Sequence, residues 1–280
     1  MREKIVDVLK PLYYKFPILR PYMAFIHQRF FRQTKFSGYG MKTIHELPWN
    51  DEYDWDVFRK SIIDVREFEF SKDAAQIDRN NVDELRWRHW IVSYAVRHAI
   101  KFADVEKYNF VECGVGDGCS AFFALREMYE NKKITNNFSM HLYDSWMAMR
   151  EKGLLESELL HVGRYANLSI NKTKKNLSEF KNNVIYHQGY VPESFSVAPE
   201  PPNSIVYLHI DLNSAEPTIV TLDFFLPRLA NGGVILFDDY GWSGYTDTKK
   251  VVDKYFHDKP GILMKFPTSQ AIYYHKIPNR

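Results

Sequence analysis

Short apolar runs alternate with stretches of helical period along most of the chain. Each run ends near an acid or a glycine, a pattern typical of a parallel sheet covered by helices on both faces. The predicted strands are residues 109–113, 140–143, 183–187, 205–210 and 233–237. Residues 262–276 contain two apolar runs around Pro267, Thr268 and Ser269, which predicts a closing antiparallel hairpin. We therefore predict an α/β fold with a Rossmann-like, mostly parallel sheet.

The part of the chain before the first predicted strand is of a different kind. Apolar residues at spacings of three and four predict a helix over residues 83–102, with Asn81 or Asp83 as its N-cap. Residues 48–70 mix acids with aromatic residues and predict short helices. The prediction is two parts: a basic, aromatic, helical N-terminal extension over residues 1–80, and a sheet-containing domain over residues 81–280.

Composition and charge exclude several protein classes. Hydrophobic residues make up 45% of the 280 residues and charged residues 26%, which is a globular balance. The net charge of +2 gives no sign of nucleic-acid binding. Two cysteines six positions apart do not form a disulfide framework, and no apolar run is long enough for a membrane span or a secretory signal. We expect reduced thiols and a cytoplasmic location.

Residues 1–43 carry nine Lys and Arg against two acids, interleaved with aromatic residues. Two interpretations stay open. The segment could contact an anionic membrane surface or a glycan-lipid peripherally. It could also be a dimer arm, giving a homo-oligomer, or a cap over the active site. Pro11, Pro17 and Pro21 interrupt any continuous amphipathic helix and favour the second interpretation.

A glycine-rich turn follows the first predicted strand. Glu112 ends that strand, and Gly114, Gly116 and Gly118 alternate through the turn to Ser120, where a helix is predicted. Glycines let the backbone approach a ligand, and the helix start offers unpaired N–H groups. The NAD fingerprint needs Gly or Ala at the position of Cys119, so the sequence disfavours a nicotinamide-dependent oxidoreductase. Asp144 ends the second strand, where an acid accepts ribose hydroxyls or simply caps a turn.

Three further acids follow later strands. Asp211 ends the fourth strand, and Asp238 and Asp239 end the fifth. The carboxyl ends of parallel strands meet at one sheet edge, so these acids repel one another unless protons or a cation neutralise them. Oxygen ligands favour Mg²⁺ or Mn²⁺. The alternative is an acidic turn without a metal.

These motifs resemble those of class I S-adenosylmethionine (SAM)-dependent methyltransferases, whose first motif is E/D-x-G-x-G-x-G. Longer segments are similar to the macrocin O-methyltransferase (TylF-like) group, which methylates sugar hydroxyls of antibiotics. The segments are VECGV (111–115), YDSW (143–146), QGYVPES (188–194), DLNSAEPT (211–218) and GGVILFDDYG (232–241). The resemblance covers about residues 85–276.

The resemblance implies a function and a set of site residues. The chain would be an O-methyltransferase that uses SAM and a divalent metal, with Mg²⁺ expected, on a hydroxyl of a sugar, glycan or sugar-bearing small molecule. The implied SAM-binding residues are Glu112, Gly114, Gly116, Gly118 and Ser120 at the amino-acid end, Asp144 and Ser145 at the ribose, and Gly189 and Tyr190 at the adenine. The implied metal ligands are Asp211, Asp238 and Asp239.

One position departs from this resemblance. The sugar-methylating relatives have an aspartate base where this chain has Asn213, and an amide cannot take a proton. His161 and His187 are weak candidates for the base. The second hypothesis is therefore a catalytically inactive nucleotide-binding scaffold protein of the same fold.

Substrate contacts are expected from loops beyond the strands. Residues 146–177 include Arg150, Lys152, Arg164 and Tyr165 and lie where a substrate lid is expected, with a solvated charged helix as the alternative. Residues 242–245 are a second candidate for the substrate wall.

Overall fold

The computed structural model describes residues 53–71, 85–135 and 137–276. The basic segment 1–43 and the N-cap candidates Asn81 and Asp83 lie outside these residues, so the predictions on them stay predictions. Among the described residues, no helix is both long enough and apolar enough to cross a membrane.

Seven strands form one sheet in the order β3-β2-β1-β4-β5-β7-β6. The strands are β1 (Tyr108–Cys113), β2 (Phe138–Asp144), β3 (Val184–Gln188), β4 (Ile205–Ile210), β5 (Leu229–Phe237), β6 (Gly261–Lys265) and β7 (Ala271–His275). The first five are parallel, while β7 is antiparallel to both β5 and β6. The predicted Rossmann-like sheet with a closing hairpin is confirmed.

Six α-helices are assigned in the described part of the chain. They are α1 (Tyr53–Asp64), α2 (Arg86–Phe102), α3 (Cys119–Glu130), α4 (Ile170–Asn176), α5 (Ala215–Phe225) and α6 (Thr246–Phe256). The helix predicted over 83–102 is α2. It begins at Arg86 among the described residues and ends before Ala103, whose backbone is extended. Short 3₁₀ turns at Glu156–His161 and Glu193–Ser196 shape the loops above the sheet.

The sheet divides the core into two hydrophobic clusters. One contains Phe58 of α1 and Phe123 of α3, and the other contains Phe225 of α5 and Phe256 of α6. Strands β1 and β4 are almost fully buried, because helices cover both faces of the sheet. Helix α1, which the sequence assigns to the extension, supplies Phe58 to the same cluster as α3. The boundary at residue 80 stays a prediction.

Parallel strands bring their carboxyl ends to one sheet edge. Glu112 of β1 is in register with Leu142 of β2 and with His209 of β4, and His209 is in register with Leu236 of β5. The residues that follow these strands therefore lie next to one another, although they are far apart in sequence.

Candidate active site

A cavity of about 560 Å³ opens at the carboxyl ends of β1, β2, β4 and β5. This is the edge where doubly wound folds bind ligands. Most of the predicted site residues border it. They are Gly114, Gly116, Ser120, Asp144, Ser145, Gly189, Tyr190, Asp211, Asn213, Asp238 and Asp239.

The turn between β1 and α3 requires glycine at two positions. Gly114 has a φ of +86°, and a Cβ there would lie 1.9 Å from the backbone oxygen of Asp211. Gly118 has a φ of +88° and precedes α3, and a Cβ there would press on Thr173 and Leu177. Gly118 does not border the cavity among its lining residues, so its place in the structure is packing rather than ligand contact.

Asp144 ties this turn to the end of β2. Its Oδ2 accepts hydrogen bonds from the backbone N–H groups of Val115 (2.8 Å) and Gly116 (2.9 Å), and its Oδ1 accepts one from Trp146 (2.6 Å). Burial raises the pKa of Asp144, and these three N–H groups oppose that rise. A carboxylate has about four acceptor positions, so one is left for a ligand in the cavity.

Glu112 lies behind the cavity wall rather than on it. The carboxylate is fully buried and accepts a hydrogen bond of 2.5 Å from the Ser120 hydroxyl, which does border the cavity. Its Oε1 is also 3.6 Å from Nδ1 of His209. Ser120 therefore borders the cavity while Glu112 does not, and the predicted contact of Glu112 with the amino-acid end of SAM stays a prediction.

The adenine candidates lie beside the end of β3. Gly189 has a φ of +147° and donates its backbone N–H to the carbonyl of Asp144 (2.9 Å). The Tyr190 hydroxyl donates to the carbonyl of Ala148 (2.7 Å), and the Arg150 guanidinium lies 4.1 Å from the Tyr190 ring centre. These bonds fix Tyr190 at the cavity edge.

The carboxylates of Asp211, Asp238 and Asp239 lie together, with one oxygen of each within 4.8 Å of the others. Asp238 accepts hydrogen bonds from two side chains of the protein, those of Arg88 and Gln270. The Arg88 guanidinium donates to its Oδ2 and to its backbone oxygen (3.0 Å), and Gln270 donates to Oδ1 (2.6 Å). Burial alone would raise the pKa of Asp238, but the positive charges of Arg88 and His209 outweigh it and hold the pKa well below the usual range.

His209 supplies part of that charge from behind the acids. Its Nε2 is 3.5 Å from Asp238 Oδ1, and its other ring nitrogen faces Glu112. Burial disfavours the imidazolium, yet these two carboxylates outweigh burial and raise the pKa of His209 to about 10. His209 also lies close enough to Asp211 for its positive charge to oppose the rise in the pKa of that carboxyl.

Asn213 joins the other two acids. Its Nδ2 donates to Asp211 Oδ1 (2.9 Å) and to Asp239 Oδ2 (2.7 Å), and the Tyr165 hydroxyl donates to its Oδ1. Burial and the neighbouring carboxylates raise the pKa of Asp211 well above its usual range and that of Asp239 to about 6. Asp211 and Asp239 therefore need a proton or a cation to lie so close together, and a divalent cation fits this pair of carboxylates. Both Asp238 oxygens already accept hydrogen bonds, so Asp238 is less well suited than the other two acids to be a metal ligand.

The weak candidates for a base lie away from the cavity surface. His187 is 1% exposed on β3, where it contacts His141 (3.0 Å) and stacks on Tyr143. His161 is 4% exposed and lies behind Arg164 and Gly244. Neither histidine borders the cavity. A base role for either one is not supported by this arrangement.

Two residues of α2 that the motifs did not indicate, Arg88 and His89, also line the cavity. His89 is 3% exposed and stacks on Phe123 with ring centres 4.4 Å apart. Burial lowers the pKa of His89 to about 3, so the imidazole is neutral. The sequence shows that both residues are polar, but it does not show that they face the cavity.

The predicted substrate loops do border the cavity. Arg150, Lys152, Arg164 and Tyr165 come from the loop after β2, and Trp242 and Tyr245 come from the loop after β5. Trp146 is buried instead, and its ring N–H donates to Thr173 (2.8 Å) and to Gly116 (3.1 Å). Its role is packing beneath the glycine turn.

Comparisons with known proteins agree with this geometry. Residues 111–240 match a family model described as a methyltransferase domain. No curated protein sequence matches the chain significantly. The chain is similar to the structure of the O-methyltransferase NovP, with a TM-score of 0.64 and 15% identity over 81% of this chain and 99% of that one. It is also similar to CalS11, a calicheamicin methyltransferase, with a TM-score of 0.56 and 14% identity over 85% and 98% of the two chains.

A second structure of CalS11, without ligand, is described as a TDP-rhamnose 3'-O-methyltransferase. Its TM-score is 0.51, with 13% identity over 82% of this chain and 96% of that one. At these identities the likeness establishes a shared fold.

Proposed function

We propose that the chain, in which residues 111–240 match a methyltransferase domain, is a class I SAM-dependent methyltransferase that transfers the methyl group of SAM to a hydroxyl of a sugar or sugar-bearing small molecule. One observation carries the proposal. The glycine turn tied by Asp144 and the carboxylates of Asp211 and Asp239 border the same cavity. A donor and an oxygen nucleophile bound at these two places would be held next to each other.

SAM supplies a methyl group on a positively charged sulfur for attack by an oxygen in line with the carbon–sulfur bond. The enzyme gains most by holding the two reactants at about 3–3.5 Å in that orientation. Asp144 offers its remaining acceptor position to a ribose hydroxyl, Ser120 lies at the amino-acid end, and Tyr190 forms the edge of the adenine site.

We propose that Asp211 and Asp239 hold a divalent cation, with Mg²⁺ expected. Such a cation lowers the pKa of a bound hydroxyl and orients it. Asp238 contributes negative charge while it keeps its bonds to Arg88 and Gln270. Asn213 takes no proton, and burial raises the pKa of Tyr165 far above its usual range, so neither side chain acts as a base. The proton of the cation-bound hydroxyl would leave to solvent water before the methyl group is transferred.

The sugar acceptor is proposed from two supports. The segments that resemble the macrocin O-methyltransferase group extend over residues 111–241, and CalS11, which shares the fold, is described as acting on TDP-rhamnose. The identity of 13% does not transfer that substrate to this chain.

Donor binding is tested by calorimetry with S-adenosylhomocysteine. Asp144→Ala removes the acceptor of two N–H groups in the glycine turn, and we expect the dissociation constant to rise about tenfold or more. Asp104→Ala is the matched control, since Asp104 is exposed before β1 and does not border the cavity. If the native protein gives no binding heat and no shift in melting temperature, the proposal fails.

The second candidate function is an inactive nucleotide-binding scaffold. The observation that favours it is the Asn213 amide, which bonds to Asp211 and Asp239 where the sugar-methylating relatives place a base. This candidate predicts that S-adenosylhomocysteine binds while no tested hydroxyl acceptor is methylated. Incubation with labelled SAM and a panel of sugars separates the two functions.

A further inference from the structure

Four cationic side chains from the described residues line the cavity: Arg88, Arg150, Lys152 and Arg164. Arg88 pairs with Asp238, while Arg150 (2.7 Å) and Lys152 (2.8 Å) share the carboxylate of Glu193. Arg164 has no carboxylate within ion-pair distance in the part of the chain that the structure describes. Among these four side chains, Arg164 therefore differs from the others in having no carboxylate partner in the described part of the chain.

Arg164 is nevertheless held in place. Its Nη1 donates to the Tyr245 hydroxyl (2.9 Å) and lies 2.8 Å from Nδ1 of His161. Its Nε and Nη2 make no hydrogen bond to the described residues. A fixed guanidinium with one free Nε–Nη2 edge matches two oxygens of a carboxylate or a phosphate.

Hydrogen bonds connect Arg164 to the acidic cluster, where the reacting hydroxyl of the acceptor is proposed to bind. The Tyr245 hydroxyl that it binds is 3.4 Å from the Tyr165 hydroxyl, which donates to Asn213. Asn213 in turn bonds to Asp239 (2.7 Å). Arg164 is thus connected to the acidic cluster, whereas the glycine turn is connected to Asp144.

We propose that the acceptor carries an oxyanion, either a carboxylate or a phosphate, that pairs with Arg164 while its reacting hydroxyl lies at Asp211 and Asp239. This proposal rests on the methyl transfer proposed above. An acceptor held at two points has little freedom to rotate, so a single hydroxyl is presented to the donor. The half-buried position of Arg164 strengthens the pairing, because the cavity wall displaces part of the screening water.

The test uses three sugars that differ in charge: glucose 1-phosphate, glucuronate and methyl glucoside. Each is titrated by ligand-observed NMR into the full chain saturated with S-adenosylhomocysteine. We expect one anionic sugar to bind about tenfold or more tightly than methyl glucoside. Preference for glucose 1-phosphate identifies a phosphate, and preference for glucuronate identifies a carboxylate.

Arg164→Gln should abolish the preference for the anionic sugar, and Arg164→Lys should keep part of it, since lysine retains the charge without the planar edge. The matched control is Arg59→Gln, which removes an exposed guanidinium of α1 that does not border the cavity. This control should keep the full preference.

Three results would overturn the proposal. They are equal binding of all three sugars to the native protein, a preference that survives in Arg164→Gln, and an equal weakening of all three sugars in that variant. The last result would mean that Arg164 only braces Tyr245. Calorimetry with S-adenosylhomocysteine on the same samples separates the two proposals: normal donor binding without anion preference overturns this one alone, and absent donor binding overturns both.

Discussion

Asn213 donates a hydrogen bond of 2.7 Å from its side-chain amide to Oδ2 of Asp239. The same nitrogen donates to Asp211, so one amide holds two carboxylates that would otherwise repel. The backbone of Asn213 has a φ of +56°, a left-handed conformation that asparagine tolerates better than most residues. The bridge therefore depends on asparagine both for its N–H donors and for its backbone.

Asn213→Asp should make the acidic cluster depend on a cation. The change replaces two donated hydrogen bonds with a further negative charge, so we expect the protein to lose about 1–3 kcal/mol of stability in a chelator. Added Mg²⁺ or Mn²⁺ should raise the melting temperature of this variant more than that of the native protein. The measurement is thermal unfolding with and without metal.

The control for this variant is Asn171→Asp, which adds the same charge at an exposed position of α4. An Asn213→Asp protein that is as stable in chelator as the native one, with no added response to metal, would contradict the description of the cluster.

Arg88→Met should destabilise the protein strongly. It leaves the buried Asp238 carboxylate without its main positive partner, and breaking one side of a buried ion pair costs about 3–5 kcal/mol. In the double variant Arg88→Met/Asp238→Asn, the loss should be smaller than the sum of the single losses. Denaturant unfolding of all four proteins measures the coupling free energy.

Lys249→Met provides the comparison, because Lys249 pairs with Asp253 at the surface and such pairs contribute about 1 kcal/mol or less. Equal effects of the Arg88 and Lys249 substitutions would argue against a buried, structurally important pair at Asp238.

The strands and the acids at their ends could be predicted because both depend on local pattern. An apolar run followed by an acid places Asp144, Asp211 and Asp239 at one sheet edge whatever the loops do. Arg88 could not be predicted in the same way. Its partner Asp238 is 150 positions away, and nothing in a helical period shows which polar residue faces a distant strand.

Motif spacing also does not show which side chain of a turn reaches the ligand. Glu112 and Gly118 belong to the same motif as Gly116, yet Glu112 faces His209 behind the wall and Gly118 packs on Leu177. These directions are set by β4 and α4, which come later in the chain. The local sequence determines the conformation of the turn, whereas the elements packed against it determine which of its residues face the cavity.

Both thiols should be unreactive in the folded protein. Burial, with the nearby charge of Glu112, raises the pKa of Cys113 and of Cys119 well above the usual range, and thiolates are the reactive form. We expect no reaction with a disulfide reagent at pH 8 and reaction of both thiols after unfolding in guanidinium. Asn171→Cys, at an exposed position, is the positive control. Fast modification of a native thiol in the unaltered protein would contradict the buried environment.

Stability should fall as the pH is lowered from about 6.5 towards 4. Burial, and for His141 the charge of its neighbour, lowers the pKa of both His141 and His187 to about 4, while unfolded histidines titrate near 6.5. The unfolded chain therefore binds more protons in this window, and each histidine contributes up to about 3 kcal/mol of stability that is present above pH 6.5 and lost below it. Denaturant unfolding at several pH values measures how steeply the free energy of unfolding changes with pH.

The variant His141→Gln/His187→Gln should show a shallower change of this free energy with pH. His257→Gln, at a site that is 80% exposed, should keep the native pH dependence. An unchanged slope in the double variant would mean that the pair is solvated or already protonated near pH 6.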